Sequence, residues 1–414
     1  MESPQALLRR SAFYLACASA VAVLVSIAVC HILLAMALAA LLLSGERLRL
    51  PPVRLPLALF LAGTLVSLAL SSNPAAGRPQ VRKFFVFVVL LVVFSLIREV
   101  SRLRRLMLVW VGVGAVSAAK SLVQFYQKLE QSRRMGIAFY EHYVAERTTG
   151  FMSHWMTFGG QMMILLLLLA AFLMFSPHRR RGFWLLLLAG GAIGLALVLG
   201  FTRSIWLATA IAGLYLVWHW KRPVVLAAPV LVGLFLFAGP DSVRTRFTSI
   251  LRPRAEVDSN EHRIITWRTG WRMISSHPFF GLGPEMVNHR FKEFLPPDVR
   301  QPLPSGWYGH LHNIYLHYAA ERGVPTLLAL LWMLGKILWD FLRAARRIPP
   351  GPDDRRFLLQ GGIAVMIAVL ITGFFELNLG DSEVLTMFLV VVCAGYAAVE
   401  SLEAEARERA AQVA

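Results

Sequence analysis

The sequence predicts an all-α, polytopic membrane protein with about twelve transmembrane helices and a helical loop on the outer side of the membrane. The first observation is composition: of 414 residues, 57% are hydrophobic and 16% are charged, and the mean hydropathy is +0.59. Soluble domains are about 45–50% apolar and about 25% charged. The second observation is a series of long apolar runs, and the third is that basic residues lie between them. This composition excludes a disordered chain and disfavours a soluble enzyme.

The net charge and the positions of the cysteines further limit the class of protein. A formal charge of +18 would suggest a nucleic-acid partner in a soluble protein. Here most basic residues separate apolar runs, which is typical of multi-span membrane proteins, so we expect membrane lipid and no nucleic acid as a partner. Cys17, Cys30 and Cys393 lie within apolar runs and predict no disulfide framework.

The apolar runs define the spans, because about 20 apolar residues of helix cross a bilayer core. They lie near residues 12–44, 56–72, 84–97, 106–123, 156–176, 183–201, 204–220, 223–239, 311–339, 357–376 and 384–400. The first run would form about 50 Å of helix, which is too long for one span. We therefore divide it near Val29–His31, and this division gives twelve spans.

The basic residues predict the orientation. With the N-terminus in the cytoplasm, most arginine clusters, including Arg9–Arg10 and residues 179–181, fall on the cytoplasmic side. The short outer loops hold far fewer basic residues. Leaving the first run undivided would move every later cluster to the wrong side. We therefore expect both termini in the cytoplasm, with the first span acting as a signal anchor because a second apolar run follows it directly.

Two outer loops are longer than simple connectors and set the expected organisation of the chain. Residues 1–239 would hold spans one to nine and a smaller loop near 124–155. Residues 240–310 would form the large outer loop, and residues 311–414 would hold spans ten to twelve and a short cytoplasmic tail. Long loops with structure of their own are usually functional.

The large loop is expected to contain an amphipathic helix. Ser259 or Asn260 can cap its start, and Pro278 ends it. Apolar residues recur at helical spacing from Ile264 to Ile274, including two tryptophans. Such a helix is suited to lie on the membrane surface.

Four ionisable residues at the outer membrane boundary form the candidate site: Arg147, Arg203, Arg263 and His312. They come from distant parts of the chain, yet the predicted topology places them on one side of the membrane. Three guanidiniums suit a diphosphate, because arginine forms bidentate bonds to phosphate oxygens. A histidine beside them could accept a proton from an attacking hydroxyl. The implied reaction is group transfer from a lipid diphosphate, with the arginines stabilising the leaving charge.

Each residue also has a simpler interpretation. Arg147 could extend its head group to the membrane interface, and Arg263 could be a solvated arginine near a helix start. Arg203 lies in a very short turn between two apolar runs, where a charge is costly unless it faces a cavity or a partner. The histidine has two neighbours, His310 and His317, so position alone does not single it out.

The sequence offers no metal site and no cofactor motif. The outer loops contain no paired carboxylates of the D-x-D type, no Cys/His group has zinc spacing, and no Walker A or dinucleotide motif is present. We therefore predict a reaction that needs neither metal nor ATP. Glu376, Asp381 and Glu383 flank the outer turn between the last two spans. They could orient an arginine or a histidine, or belong to a solvated loop.

The segment HNIYLHYAAERG resembles a motif of the bacterial O-antigen ligase family, which also includes O-antigen polymerases and pilin oligosaccharyltransferases. The motif is H-[N/S/Q]-x9-G, and His312, Asn313 and Gly323 occupy its defined positions.

Three further segments resemble motifs of the same family, in the same order. HRIITWRTGWRMISSHPFFGLG carries Arg263 and Trp267 in an R-x3-W…HP-x2-G-x-G pattern. TRSIWLA carries Arg203, and RTTGFMSHWMTFGG carries Arg147. The resemblance covers roughly residues 140–330 in motifs and the whole chain in span pattern.

The resemblance implies an activity and a fold. Ligases of this family transfer a glycan from undecaprenyl diphosphate to a sugar hydroxyl of lipid A–core at the periplasmic face of the bacterial inner membrane. They use neither metal nor ATP, and their helical fold is similar to that of the C-type glycosyltransferases. Carried over, His312 would be the base or would position the acceptor, and Arg147, Arg203 and Arg263 would bind the diphosphate. The supporting positions would be Asn313, Trp267, His317 and Gly323.

Several alternatives remain open from the sequence. An O-antigen polymerase would lengthen the glycan on the lipid diphosphate, and a pilin oligosaccharyltransferase would use a protein acceptor. The large basic loop favours a ligase, because lipid A–core is anionic. A lipid-linked glycan transporter would favour two similar halves and charges at mid-membrane, and neither is evident. A scaffold protein would not account for Arg203.

Overall fold

The computed structural model describes residues 3–177, 182–227, 229–230, 233, 241, 244, 246, 260–303 and 308–413. These residues form helices and connecting turns without any β-strand, so the prediction of an all-α protein is confirmed. The helices are α1 (Pro4–Ala22), α2 (Ile27–Leu43), α3 (Arg54–Ala69), α4 (Pro74–Arg82), α5 (Val88–Leu96), α6 (Val100–Met135), α7 (Phe139–Ala145), α8 (Trp155–Phe175), α9 (Phe183–Leu199), α10 (Arg203–Trp220), α11 (Asn260–Ser276), α12 (Met286–Arg290), α13 (Ile314–Arg322), α14 (Val324–Ala345), α15 (Asp354–Gly373) and α16 (Ser382–Val413).

The helices identify an integral membrane protein. Within the described ranges, six helical segments are long and apolar enough to cross a membrane. They are Pro74–Leu96, which joins α4 to α5 through a 3-10 turn, and then α6, α8, α14, α15 and α16. Three shorter apolar helices, α2, α3 and α9, accompany them. The count of twelve spans stays a prediction, and most of the expected ninth span, 223–239, lies outside the described residues, as do residues 179–181.

The first apolar run is divided into two helices, but the break lies earlier than predicted. The α1 helix ends at Ala22 and α2 begins at Ile27, whereas the sequence suggested a break near Val29–His31. Ser26 caps α2, and neighbouring side chains bind carbonyls that the end of α1 leaves unpaired. Trp110 Nε1 donates to the Ala20 carbonyl at 2.7 Å, for example. The expected position missed Ser26 as the cap of α2, and the donor to the Ala20 carbonyl comes from a helix distant in the sequence.

The expected tenth span, 311–339, is also two helices. The α13 helix ends at Arg322 and α14 begins at Val324, and only α14 qualifies as a membrane span. Gly323 separates them with φ +82°, a conformation that glycine adopts readily, and a proline follows in the first turn of α14. The span therefore starts about a dozen residues later than the apolar pattern suggested, because α13 belongs to the loop structure.

The centre of the bundle is formed by α8, α15 and α16. In their most apolar windows 78%, 78% and 83% of residues are buried inside the protein, compared with 39–44% for the other candidate spans. The α8 helix packs on α10 and α15, and α6 packs on α8 and α9. The outer helices consequently expose many apolar side chains, as expected of a surface that faces lipid.

The predicted loop helix is present as α11 and packs on α13. Its buried side includes Ile265, Met273 and Ile274, whereas Ile264 and Trp271 of the predicted apolar stripe are exposed. The predicted stripe is therefore exposed at Ile264 and Trp271 and buried at Ile274, so only part of it faces away from the protein.

The ends of several helices meet at one end of the bundle. The segment between α13 and α14 is fixed to the loop after α11 by backbone bonds, such as Leu282 N to Ala320 O and Val324 N to Pro278 O, both 2.8 Å. Thr266 Oγ1 of α11 also donates to the Leu311 carbonyl at 3.4 Å. These contacts fix the residue that follows Leu311, which is His312.

Candidate functional site

Glu376 is at the centre of the candidate site. It follows the last turn of α15, where its backbone nitrogen donates to the Thr372 carbonyl at 2.9 Å, and it is only 4% exposed. Its Oε1 accepts from Arg263 Nη2 at 2.8 Å, and its Oε2 lies 3.5 Å from His312 Nδ1. The interpretation of Glu376 as a solvated loop residue is therefore wrong. A buried carboxylate at this position joins an arginine to a histidine.

Arg263 lies in the first turn of α11 and is mostly buried. Its guanidinium lies over the ring of Phe375, 5.8 Å from the centroid, in addition to the ion pair with Glu376. A cation at a helix N-terminus is unfavourable for the helix dipole. The nearby carboxylate compensates for this and holds the guanidinium in one orientation.

Arg147 is held in the segment between α7 and α8. Gln124 Oε1 of α6 accepts from the backbone nitrogens of Thr149 and Gly150, both at 3.0 Å, and so fixes this segment. The Arg147 guanidinium lies over the ring of Trp155, 5.4 Å from the centroid, and Nη1 donates to Thr202 Oγ1 at 3.4 Å. The interpretation of Arg147 as an arginine that merely reaches the membrane interface does not fit these contacts.

The pKa of Arg147 reports the electrostatic character of the site. Burial lowers this pKa to about 9, and repulsion from Arg246 contributes in the same direction, whereas the charge of Glu376 opposes it. The group is still cationic at neutral pH, but its charge is held in an unfavourable environment. Its buried Nε finds no hydrogen-bond partner within the part of the chain that the structure describes. An anionic ligand would relieve both features.

Arg203 is the first residue of α10 and follows a strained turn. Phe201 has φ +50°, a left-handed conformation that is rare for a bulky residue. Tyr143 Oη donates to the Leu199 carbonyl of the same turn at 2.6 Å. The α7 segment thus fixes this turn. Arg203 lines a cavity, as expected because a charge in a short membrane turn is costly unless it faces a cavity or a partner.

Arg246 is a site residue that sequence reasoning missed. It is 3% exposed, its Nε donates to the Phe201 carbonyl at 2.9 Å, and its Nη1 donates to Tyr140 Oη at 3.3 Å. It lies in a stretch with several arginines, and no spacing in that stretch distinguishes it. Only the packing of the turn before α10 identifies it.

These groups surround a cavity of about 120 Å³, which we call the arginine cavity. Its ionisable lining residues, among those that the structure describes, are Arg147, Arg203, Arg246, Arg263, His262, His312 and Glu376. Among the described lining residues, four guanidiniums therefore accompany one carboxylate. An excess of planar, multidentate donors is the arrangement that binds a phosphate-rich anion.

An apolar pocket of about 380 Å³ adjoins the arginine cavity. Arg203, Arg263 and Ser204 line both spaces, and the apolar pocket adds Leu207 and Trp267 among others. A ligand with an anionic head and an apolar chain would match this pair of spaces. Trp267, one of the supporting positions, lines the apolar pocket and is not among the described lining residues of the arginine cavity.

His312 has an unusual backbone. Its φ is +46°, a left-handed conformation, and Asn313 immediately caps α13 by accepting from the nitrogens of Tyr315 and Leu316 at 3.0 Å. Left-handed non-glycine residues are sparse and cluster at functional sites. The cap begins α13 directly after His312 and keeps the imidazole at the mouth of the arginine cavity.

Two other histidines surround His312. The ring of His310 lies 3.9 Å and that of His262 lies 4.9 Å from it, centroid to centroid. Burial is the main cause that lowers the pKa of His310 to about 3, and repulsion from the nearby His312 contributes in the same direction. This ring is therefore neutral at any working pH. His310, which together with His317 had left the identity of the working histidine open, therefore adds no charge to the site.

The remaining supporting positions lie outside the arginine cavity. His317 is buried in α13, where its Nε2 lies 3.2 Å from Glu321 Oε1 of the same helix. At Gly323 a side-chain Cβ would meet the backbone oxygen of Phe279 at 2.0 Å, so only glycine fits. Both residues support the segment that carries His312 and do not themselves reach the cavity.

The described residues contain no group of three or more His, Cys, Asp or Glu side chains arranged to hold a metal ion. Metal independence remains a prediction, since the reaction itself is not observed. The chemistry that the described residues can supply is charge stabilisation by guanidiniums and proton transfer by an imidazole paired with a carboxylate.

Fold and site together define an integral membrane protein with a cationic cavity beside an apolar pocket, suited to an anionic lipid-linked substrate. The family model of the O-antigen ligases matches residues 191–331. This range contains Arg203, Arg263 and His312, and the resemblance predicted from their motifs is confirmed there. Arg147 and Glu376, which the structure brings to the same cavity, lie outside it. The comparison with curated proteins finds no match.

Proposed function

We propose that this protein is an O-antigen ligase. It would transfer a glycan from undecaprenyl diphosphate to a sugar hydroxyl of lipid A–core at the periplasmic face of the bacterial inner membrane, without metal or ATP. The observation that carries the proposal is the arginine cavity: four guanidiniums, with the Glu376–His312 pair at its wall and an apolar pocket beside it. The family match supports the same conclusion over residues 191–331.

In this proposal the donor occupies both spaces. Its diphosphate binds in the arginine cavity, where Arg147, Arg203 and Arg263 bind phosphate oxygens and Arg246 adds charge. Its polyprenyl chain extends into the apolar pocket past Trp267. Arg203 and Arg263 line both spaces, so they mark the junction of head and chain.

The chemical step follows from the contact between Glu376 and His312. With the Nδ1 hydrogen directed at Glu376, the imidazole Nε2 is left as an acceptor. Nε2 takes the proton from the acceptor hydroxyl as its oxygen forms a bond to the anomeric carbon of the donor sugar. The bond from that carbon to the phosphate oxygen breaks, and the lipid diphosphate leaves with the electron pair. The guanidiniums stabilise the charge that develops on it.

The proposal includes the finer topology. It comprises twelve spans, a fold similar to the C-type glycosyltransferases, both termini in the cytoplasm, and a periplasmic site formed by the loops near 124–155 and 240–310. The positive-inside distribution of basic residues supports this arrangement. The clustering of Arg147, Arg203, Arg263 and His312 at one end of the bundle also supports it, because the topology predicts them on one side.

Reconstitution tests the proposal directly. The full chain, purified in detergent with a chelator, is mixed with undecaprenyl-diphosphate glycan and lipid A–core, and the products are separated on a gel. A glycan ladder on lipid A–core would establish the ligase. Longer glycan still on the lipid diphosphate, with lipid A–core unmodified, would identify a polymerase instead. If neither product forms but the donor crosses the bilayer of a vesicle, the protein is a transporter.

Arginine variants test the diphosphate site. Arg203→Ala and Arg263→Ala should each reduce turnover by at least about 100-fold, within the range measured when one transition-state donor is removed. The matched control is Arg268→Ala on the same helix as Arg263, because Arg268 is exposed and pairs with Asp298 away from the cavity. Full activity in both cavity variants would refute the assignment of the diphosphate to this cavity.

A further inference from the structure

A second apolar space adjoins the apolar pocket beside the arginine cavity. We call it the tryptophan pocket, and its volume is about 490 Å³. It is lined by Trp267, Arg268, Trp271 and Arg272 of α11, by the Pro296–Pro297 turn and by Leu316 of α13. Trp267 lines both apolar spaces and so forms a wall that they share.

The α11 helix lies across the ends of two candidate membrane spans, α14 and α15. Its first turn holds Arg263, which pairs with Glu376 just after α15. Its far end leads into Pro278, whose carbonyl accepts from the nitrogen of Val324, the first residue of α14, at 2.8 Å. A helix fixed in this way to the ends of spans lies near the boundary of the hydrocarbon. The tryptophan pocket, midway along α11, is therefore within reach of membrane lipid.

Large apolar side chains remain exposed along this segment. Trp271, in the wall of the tryptophan pocket, is 65% exposed. Phe279 and Phe280, which follow α11, are exposed as well. Exposed aromatic side chains are favourable at a membrane interface, where their rings contact lipid chains. The accessible wall of the pocket is thus suited to an acyl chain.

One cation at the rim of the pocket is available to an anionic group. Arg272 is exposed, and no ion pair joins it to a carboxylate among the residues that the structure describes. Arg268 differs, because its guanidinium donates to both carboxylate oxygens of Asp298, at 2.7 and 2.8 Å, which offset its charge. Arg268 therefore takes no part in the proposed site. An apolar wall with one guanidinium at its rim fits a lipid chain attached to a head group that bears a phosphate.

We propose that the tryptophan pocket binds the acceptor lipid, with an acyl chain against Trp271 and a phosphate at Arg272. This inference rests on the proposed function, in which two lipid-anchored substrates meet at His312. The polyprenyl chain of the donor would lie on one side of Trp267, and an acyl chain of the lipid A moiety would lie on the other. Leu316 is in the first turn of α13, directly after the segment of His312. A lipid held beside Leu316 therefore leaves its attached core sugars within reach of the imidazole.

Native mass spectrometry of the full chain in detergent tests the binding without the reaction. The probe is lipid A itself, which carries the phosphates and acyl chains but lacks the core sugars that accept the glycan. Lipid A should be retained about fivefold more strongly than its dephosphorylated form, the contribution of one basic residue beside an anionic lipid, and Arg272→Gln should remove this difference. Trp271→Ala should weaken the binding of both forms by at least about tenfold, since a tryptophan offers a large apolar contact area. The matched controls, Arg133→Gln and Trp184→Ala, change exposed residues that do not line the pocket and should leave binding unchanged.

Two outcomes of this experiment would overturn the proposal. One is retention of phosphatidylglycerol at the level of lipid A, which would make the pocket a site for general membrane phospholipid. The other is unchanged binding of lipid A in Trp271→Ala.

Steady-state kinetics separates the acceptor from the donor. Trp271→Ala should raise the KM for lipid A–core by about tenfold, while kcat and the KM for the donor stay those of the natural protein. A raised KM for the donor alone would mean that the pocket continues the path of the polyprenyl chain, and it would overturn the acceptor assignment.

The lipid site and the ligase reaction fail separately. If the full chain transfers no glycan but retains lipid A through Trp271 and Arg272, the ligase reaction is refuted and the lipid site stands. If glycan is transferred and Trp271→Ala leaves the KM for lipid A–core unchanged, the lipid site is refuted and the ligase reaction stands.

Discussion

Glu376→Gln is the most informative single change, because it removes one charge and leaves the side-chain shape almost intact. The carboxylate is 4% exposed, pairs with Arg263 at 2.8 Å and lies 3.5 Å from His312. Removing one partner of a buried ion pair costs about 3–5 kcal/mol, so the variant should melt at a lower temperature than the natural protein.

The same change should separate the two kinetic constants. The imidazole loses the acceptor that orients it, and loss of an oriented base lowers turnover by about 10²–10⁴-fold. Donor binding should respond in the opposite sense, because the carboxylate is the one described negative charge among four guanidiniums. A unit charge at roughly 6 Å with an effective dielectric of about 20 contributes about 2–3 kcal/mol. We therefore expect a much lower kcat with an unchanged or lower KM for the donor.

Initial rates of glycan transfer in detergent, measured at several donor concentrations, would give both constants. Asp298→Asn is the matched control, since it removes a carboxylate from an exposed pair with Arg268 on the same helix as Arg263. Exposed pairs contribute about 0–1 kcal/mol, so this variant should retain its rate. If Glu376→Gln keeps its kcat while KM rises, Glu376 only positions Arg263, and the assignment of a carboxylate–imidazole base is wrong.

Three further predictions concern the segment that carries His312. His312→Ala should abolish glycan transfer and His317→Ala should retain it, because His312 lines the arginine cavity and His317 does not. The reverse result would show that His317, not His312, is the working histidine of the motif. Gly323→Ala should lower the melting temperature in detergent, since a Cβ there would lie 2.0 Å from a backbone oxygen, whereas Gly335→Ala in open space should not. His310 has a folded pKa of about 3 against an ordinary value of 6.5, so the unfolded chain binds more protons between these pH values. Stability should therefore fall as the pH drops below about 6.5, and His310→Asn should reduce this dependence; identical melting curves of the two proteins from pH 7 to pH 5 would contradict it.

The fold was predictable wherever an apolar run is bounded by charged or turn-forming residues. The expected span at 156–176 is α8 (Trp155–Phe175), which is long and apolar enough to cross a membrane, and the run at 204–220 forms the helix α10 (Arg203–Trp220). The run ending at 339 was not predictable as two helices from hydropathy, because α13 is apolar enough to continue the pattern. Gly323 and the proline after it mark the break between α13 and α14. They can be recognised as a break only once the loop after α11 is seen to pack against this segment.

The cations of the candidate site were predictable from the sequence, whereas its carboxylate was recognised only in part. Arg203 was predictable because a charge in a short membrane turn is costly unless it faces a cavity. Glu376 was recognised as able to orient an arginine or a histidine, but its position in the sequence favoured a solvated loop. Only tertiary packing places it against Arg263 and His312. Arg246 gave no signal, because its role depends on the carbonyl of Phe201 in a distant turn.

The balance of charge in the arginine cavity bears on how the proposed donor would bind. Burial lowers the pKa of Arg147 to about 9, and repulsion from Arg246 contributes in the same direction. Glu376 offsets the charge of Arg263, with which it pairs at 2.8 Å. In the proposed function a diphosphate would bind among these guanidiniums, so the donor should stabilise the folded protein by an amount that grows with donor concentration. Glu376 contacts both Arg263 and His312, so in the proposed reaction donor binding and acceptor activation would depend on the same residue. A donor lacking its diphosphate should therefore neither bind nor stabilise the protein, even if its glycan and polyprenyl chain are unchanged.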